Sequence, residues 1–326
     1  MTTGRPFDDI RALTESMPEA DEGACDHVKH VIADFGEYLS PLGRNKKYAK
    51  WLAKWQGKAP SIDRPLISVF AGTHGVAKHV FGDDFVPKAQ ARVKSMTEGA
   101  AGVRGVSASL QAAFKVFELG IEYPAANFTQ EPSLSEKDCA AAIAFGMEVV
   151  AEGADIIALG NAGFGSATAA AAIAFGLYGG TAEYWAGGTG EAANSRIEAV
   201  ATGANLHKEL LSDPLEVLRC FGGRDIAGMV GAILAARHQS IPIILDGYVV
   251  CTAAAVLHKL NPDSIAHCMA GHVTAEPAHQ ALLDRMGLEP MHDMGIGIGD
   301  GTGAALALGT LRSTCQALET LKDTKV

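Results

Sequence analysis

The sequence predicts an α/β fold of three layers, with helices on both faces of a Rossmann-like parallel sheet. Short apolar runs at 66–70, 154–159 and 241–245 are typical of strands buried on both faces. Helical patterns separate these runs, as in βαβ units with right-handed crossovers. Each run ends in small or polar residues, so the loops that follow should gather at one edge of the sheet, where open α/β sheets bind ligands.

Length, composition and charge narrow the functional class. The 326 residues are 48% hydrophobic and 20% charged, enough for one large domain with a smaller satellite. A formal net charge of −10 without a basic stripe argues against nucleic acid and acidic membranes as partners. The sequence has no signal-like amino end, no run of about 18 apolar residues and no CxxC pair. We therefore expect a reduced, cytoplasmic protein without a metal site.

The two ends of the chain predict helices and no strand. Apolar residues recur with a helical period in 7–58, and the carboxyl-terminal segment is an amphipathic helix. We expect residues 1–62 and about 305–326 to form a small helical domain. Residues 63–304 should then form the large α/β domain that binds the ligand.

Helical patterns fill most of the chain between the predicted strands. Ser135 and Asp138 form a capping box at the start of one of them. A further strand and loop are predicted within 267–279. Helices are predicted over 99–118, 136–151, 166–175, 193–211, 222–236, 278–286 and 303–322.

Two glycine-rich loops stand out among the strand ends. Residues 294–303 contain five glycines and one carboxylate, Asp300, and run into an alanine-rich helix. Residues 159–168 likewise contain several glycines and run into an alanine-rich helix. Glycine lets a backbone approach a ligand closely, and the start of a helix favours an anion, so we predict a phosphate site at Gly163–Ser166. For Asp300 a plain helix-capping role is the alternative.

Other loops bring polar residues to the same edge. The first strand is followed by Thr73, His74 and Gly75. His74 suits acid–base chemistry, although a hydrogen bond to nearby backbone explains it equally well. Asp246 and Gly247 follow the strand at 241–245 in the same way.

Seven motifs follow one another between about residues 40 and 320. They are AGTHGV at 71–76, TQEP at 129–132, LGNAGFG at 159–165, GGRDIAGMVGAI at 222–233, LDGY at 245–248, TAEP at 274–277, and GLEP at 287–290 leading to GDGTGAALAL at 299–308. In this order they resemble the nicotinate-nucleotide:dimethylbenzimidazole phosphoribosyltransferase family of cobalamin lower-ligand assembly. The resemblance implies a six-stranded parallel sheet, a helical domain built from both chain ends, and a homodimer.

The resemblance also implies a reaction. Phosphoribose would pass from nicotinate mononucleotide to a benzimidazole-type base during assembly of the cobamide nucleotide loop, without a cofactor. Asp300 takes the place of the family's general-base glutamate, Asn161 that of a second glutamate, and Arg196 that of a lysine, so these three are the catalytic candidates. The predicted substrate-binding residues are Thr73, His74, Gly75, Phe81, Gly163, Gly165, Ser166, Gly188, Thr189, Gly190, Asp246, Gly247, Thr274, Glu276 and Gly299.

Departures from the family pattern leave alternatives open. Thr73 replaces an aspartate, and residues 80–85 differ from the family's base pocket, which favours another acceptor such as a purine or a phenol. Asn161 lacks the carboxylate of the family, which favours a non-catalytic paralogue that binds nucleotide or base, or that partners an active subunit in a heterodimer. The carboxylate retained at Asp300 argues against a non-catalytic paralogue. No GxGxxG follows the first strand, which disfavours a dinucleotide-dependent oxidoreductase.

Overall fold

The computed structural model describes residues 4–187 and 191–322. The helices are α1 (Asp8–Glu15), α2 (Glu22–Phe35), α3 (Asn45–Gln56), α4 (Lys78–Phe81), α5 (Phe85–Thr97), α6 (Gly102–Ser109), α7 (Glu136–Gly146), α8 (Ser166–Tyr178), α9 (Ala182–Ala186), α10 (Glu191–Leu206), α11 (Pro214–Phe221), α12 (Arg224–His238), α13 (Tyr248–Leu260), α14 (His279–Met286) and α15 (Thr302–Lys322). The strands are β1 (Pro65–Ala71), β2 (Ala113–Glu118), β3 (Ile156–Asn161), β4 (Ile243–Leu245), β5 (Cys268–Ala270), β6 (His272–Val273) and β7 (His292–Asp293). Within the described ranges, no helix is long and apolar enough to cross a membrane.

Strands β1 to β5 form one parallel sheet in the order β2-β1-β3-β4-β5. In its register, Leu66 of β1 pairs with Ala113 of β2 and Ile157 of β3. This is a common order of doubly wound sheets, and its direction reverses between β1 and β3. The loops that follow these two strands therefore flank the crevice in which such sheets bind ligands.

The sheet has five strands among the described residues, and the expectation of six is wrong. Beside β5, the place of a sixth strand is taken by β7, which is two residues long and pairs with β6. Met291 of the same segment donates a backbone hydrogen bond to Ala270. The segment is short because the chain leaves it at once for the glycine-rich loop that precedes α15.

Alternate side chains of the inner strands face two different hydrophobic cores. Leu66 and Phe70 of β1 pack with α7, α8 and α11 to α13 on one face of the sheet. Ile67 and Val69 pack with α3, α5, α6 and α15 on the other. The period-2 geometry of a strand thus produces the three predicted layers, which confirms the fold class.

The helix predicted over 99–118 is wrong in its second half. Helix α6 ends at Ser109, Gln111 turns the chain with a φ of +48°, and β2 begins at Ala113. Because β2 is an edge strand, Phe117 is its only buried side chain, and the other five are partly or largely exposed. It therefore lacks the continuous apolar run that identifies the inner strands.

A third, small core joins the amino-terminal helices to the end of the chain. Helix α15 also packs under the sheet through Leu308 and Leu311, so the domain boundaries near residues 62 and 305 stay a prediction. The members of the small core are Val28, Leu39, Ala49, Ala53 and Leu318.

Candidate active site

A cavity of about 210 Å³ lies where the loops that follow β3, β4 and β6 meet. The predicted site residues that line it are Phe81, Asn161, Gly163, Gly165, Ser166, Arg196, Thr274, Glu276 and Gly299. Those that do not line it are Thr73, His74, Gly75, Asp246, Gly247 and Asp300. Gly188, Thr189 and Gly190 lie outside the described residues. The roles of all these residues stay predictions, but the structure fixes their neighbours.

A fully buried carboxylate, Asp225 at the start of α12, organises the floor of the cavity. It accepts hydrogen bonds from Asn161 Nδ2 (2.9 Å) and Ser166 Oγ (2.7 Å), and lies 2.9 Å from Nε2 of His74. Burial by itself raises the pKa of Asp225, but the attraction of His74 and the three hydrogen bonds outweigh it and lower the pKa to about 2. The ionised carboxylate thus holds the loops after β1 and β3 together.

Both polar atoms of the Asn161 side chain are used inside the protein. Nδ2 donates to Asp225, and Oδ1 accepts from the backbone N–H of Gly163 at 3.0 Å. The backbone N–H of Asn161 donates to Gly299 O at 2.7 Å, which joins the two glycine-rich loops directly. Asn161 therefore shapes the cavity wall, and an amide in this position cannot serve as a base.

Two glycines direct the start of α8 toward the cavity. Gly165 has a φ of +87°, a conformation that other residues rarely adopt. A Cβ on Gly163 would lie 2.1 Å from Ser166 Oγ, so a side chain there would break the contact with Asp225. As a result Ser166, Ala167 and Thr168 line the cavity with the first turn of a helix, whose free N–H groups favour an anion.

Asp246 lies beneath the glycine-rich loop that precedes α15. Its fully buried carboxylate accepts hydrogen bonds from the N–H groups of Gly301 (2.8 Å) and Ala304 (2.7 Å) and lies 3.1 Å from His272 Nε2. These contacts anchor the loop and the start of the helix. A direct contact of Asp246 with substrate stays a prediction.

Asp300 caps the start of α15, as the alternative interpretation of the sequence expects. Its Oδ1 accepts hydrogen bonds from the N–H (3.1 Å) and the hydroxyl (2.6 Å) of Thr302. The other carboxylate oxygen bonds to no described residue. Because Gly297, Ile298 and Gly299 line the cavity, the partly buried Asp300 lies at its rim.

The charged side chains that line the cavity are Arg92, Arg196 and Glu276. Arg196 donates from Nη2 to Gly187 O at 2.8 Å, while its buried Nε has no partner among the described residues. Besides Glu276, the ionised Asp225 at the floor and Asp300 at the rim add carboxylates, so the site carries charges of both signs. Each arginine offers a guanidinium that can pair with an anionic group of a ligand.

Apolar side chains form another part of the wall. Phe81 is 44% exposed and its ring centre lies 5.4 Å from that of Phe164. Val80 and Ile298, which is 60% exposed, line the cavity as well. Exposed apolar groups of this kind provide a surface for a flat aromatic ring.

Three residues of the site, Arg92, Asp225 and Tyr248, were not predicted from the sequence. Arg92 shares a helix face with the buried Ala89, Val93 and Met96, and this charge on an apolar face is the signal that could have identified it. Asp225 belongs to the GGRDIAGMVGAI motif, but its partners lie 59 to 151 residues away along the chain. The hydroxyl of Tyr248 donates to Trp185 O at 3.2 Å.

A doubly wound sheet with a cavity at the carboxyl ends of its strands is typical of α/β proteins that bind a ligand at this edge. A family model described as phosphoribosyltransferase matches residues 17–326. The nicotinate-nucleotide–dimethylbenzimidazole phosphoribosyltransferase of Rhizobium rhizogenes is 46% identical over 316 residues, which cover 95% of this chain and 93% of that protein. The enzyme of the same name from Sinorhizobium medicae is 44% identical over 315 residues, with the same coverage.

A solved structure agrees with these sequence matches. The crystal structure of the nicotinate-nucleotide–dimethylbenzimidazole phosphoribosyltransferase of Thermus thermophilus superposes with a TM-score of 0.82 at 28% identity. The match covers 92% of this chain and 96% of that one. The chain belongs to this phosphoribosyltransferase family.

Proposed function

We propose that this protein transfers phosphoribose from nicotinate mononucleotide to a benzimidazole-type base, a step in building the nucleotide loop of cobamides. The observation that carries the proposal is the composition of the cavity wall. One cavity combines a helix start and Arg196, which suit a phosphate, with the aromatic surface of Phe81 and the adjoining carboxylate of Asp300. The names of the relatives supply the donor and the acceptor.

The phosphate of the donor binds at the start of α8 in this proposal. The N–H groups of Ser166, Ala167 and Thr168 are free of helical acceptors, and these three residues line the cavity. Arg196 adds a cation whose buried Nε–H is unpaired among the described residues. Glu276 and Thr274 then offer oxygens to the ribose hydroxyls.

The chemistry that follows requires little from the protein beyond placement and one base. The ring nitrogen of nicotinate is cationic in the nucleotide, so it leaves readily as its bond to C1′ breaks. A nitrogen of the acceptor forms the new bond to C1′ through its lone pair, and the acceptor loses its ring proton to Asp300. The oxygen of Asp300 that does not cap α15 is the one able to accept it.

Nicotinate release tests the proposal. The protein is incubated with nicotinate mononucleotide, with and without 5,6-dimethylbenzimidazole or a panel of purines and phenols. We expect release of nicotinate and formation of the ribotide of the acceptor only when an acceptor is present. Tight binding of the mononucleotide without release for any acceptor would instead support the non-catalytic paralogue. A cytoplasmic location stays part of the proposal.

A further inference from the structure

Arg92 is a partly buried cation in the cavity wall that the proposed reaction does not yet use. It projects from the face of α5 that also carries the buried Ala89, Val93 and Met96. Its guanidinium forms no hydrogen bond and no ion pair with any described residue. A guanidinium has five donors, and those of Arg92 remain open to solvent. A ligand that displaces this water must supply acceptors in its place, because donors left unpaired in the filled cavity cost free energy.

The neighbours of Arg92 in the cavity identify the part of the ligand that it meets. Phe81, Val80 and Ile298 provide the apolar surface for an aromatic ring. Asp300, the proposed base, lies within electrostatic reach: burial lowers the pKa of Arg92, and the Asp300 carboxylate opposes that shift. Arg196, in contrast, contacts Gly187 and belongs to the phosphate side of the proposal.

We infer that Arg92 binds an oxygen substituent on the aromatic ring that lies beside Asp300. This inference rests on the proposed function and adds a substrate class to it: a ring that carries a hydroxyl or carboxylate oxygen. Two methyl groups, as in 5,6-dimethylbenzimidazole, would leave the guanidinium without a partner. An oxygen on the acceptor and the carboxylate of nicotinate on the donor share this chemistry, and the experiment separates them.

The physical basis is the asymmetry of hydrogen bonding in a partly desolvated site. A hydrogen bond to a charged group contributes more than one between neutral groups, and a ligand that lacks the acceptor leaves the charge unpaired. We therefore expect Arg92 to favour the oxygen-bearing ring by roughly tenfold to a hundredfold in kcat/KM.

The experiment measures kcat/KM for nicotinate release by wild type, Arg92→Met and Arg92→Lys in two arms. One arm compares 5-hydroxybenzimidazole with 5,6-dimethylbenzimidazole as acceptor. The other compares nicotinate mononucleotide with nicotinamide mononucleotide as donor, with release of the pyridine base as the readout. Arg64→Met is the matched control, because Arg64 is exposed at the opposite end of β1 and its side chain forms no hydrogen bond with a described residue.

A wild-type preference for 5-hydroxybenzimidazole or for nicotinate mononucleotide that Arg92→Met removes, and Arg92→Lys partly restores, supports the inference and assigns the contact to that arm. Equal preferences in wild type and Arg92→Met in both arms overturn it. If wild type transfers nothing, the proposed function fails, and calorimetry with 5-hydroxybenzimidazole and nicotinate still tests Arg92. Weaker binding of either ligand to Arg92→Met then supports the contact, and unchanged binding of both refutes it.

Discussion

Replacing Asn161 with Asp tests whether Asp225 is ionised beneath the cavity. The substitution keeps the size of the side chain but places a carboxylate oxygen where Nδ2 now donates to Asp225 at 2.9 Å. Two ionised carboxylates cannot share this buried position, so the folded protein must hold one extra proton. The shared proton restores the hydrogen bond between positions 161 and 225, so the loss of stability equals only the free energy of protonation.

The loss of stability in Asn161→Asp depends on the pH. Protonating a carboxyl group with an ordinary pKa of about 4 costs about 1.4 kcal/mol for each pH unit above that value. Asn161→Asp should therefore lower the free energy of unfolding by about 4 kcal/mol at pH 7 and by about 1.5 kcal/mol at pH 5. The pKa of the carboxyl pair is raised in the folded variant, so the variant loses stability as the pH rises.

A second substitution in the same protein makes the test specific. Asp225→Asn in the Asn161→Asp background exchanges donor and acceptor, so the amide now at position 225 donates to the carboxylate now at position 161 and the extra proton is no longer needed. We expect the exchanged pair to recover most of the lost stability, a coupling of about 2 to 3 kcal/mol between contacting residues. Asn205→Asp, at an exposed position of α10, controls for the added charge.

Urea unfolding of the variants at pH 5 and pH 7 provides the measurement. A cost for Asn161→Asp that does not change with pH would refute an ionised Asp225. A double variant whose losses simply add would refute the direct contact between the two side chains.

Three further outcomes are expected. Gly163→Ala should lower the free energy of unfolding by more than about 2 kcal/mol and weaken nucleotide binding, since its Cβ would lie 2.1 Å from Ser166 Oγ. The control Gly105→Ala, with open space around it, should be neutral or stabilising. Equal effects of the two substitutions would contradict the packing at Gly163. Because the pKa of Asp225 is lowered to about 2, its stabilising effect should be complete above about pH 4 and lost toward pH 2, so Asp225→Asn should flatten the acid limb of unfolding. Light scattering at micromolar concentration should give a dimer, and a monomer would contradict the predicted homodimer.

The inner sheet could be predicted because its signal is local. Strands β1 and β3 are apolar runs buried along their whole length, and the loop at Gly163 and Gly165 follows directly in the sequence. The seven motifs identified the family for the same reason, since each is a continuous stretch. Strand β2 was not predicted because, at the edge of the sheet, only Phe117 is buried and the strand lacks a continuous apolar run.

The contacts that define the cavity are not local, and this limited the prediction of the site. Asp225 meets His74 across 151 residues of sequence, and the neighbourhood of Arg92 and Asp300 spans more than half of the chain. Asp246 ends a strand as a ligand-binding residue would, yet its three partners lie in the protein itself. Position at a strand end therefore indicated the right edge of the sheet but not which side chains face the cavity.

Turnover of Asp300→Asn tests whether Asp300 is the base in transfer of phosphoribose to an aromatic nitrogen. Asparagine keeps an oxygen that can cap Thr302, so α15 should keep its start and nicotinate mononucleotide should bind nearly as before. We expect nicotinate release in the presence of acceptor to fall by roughly 10²-fold or more, the usual contribution of a positioned base. Release by Asp300→Asn at the wild-type rate would contradict the assignment of Asp300 as the base.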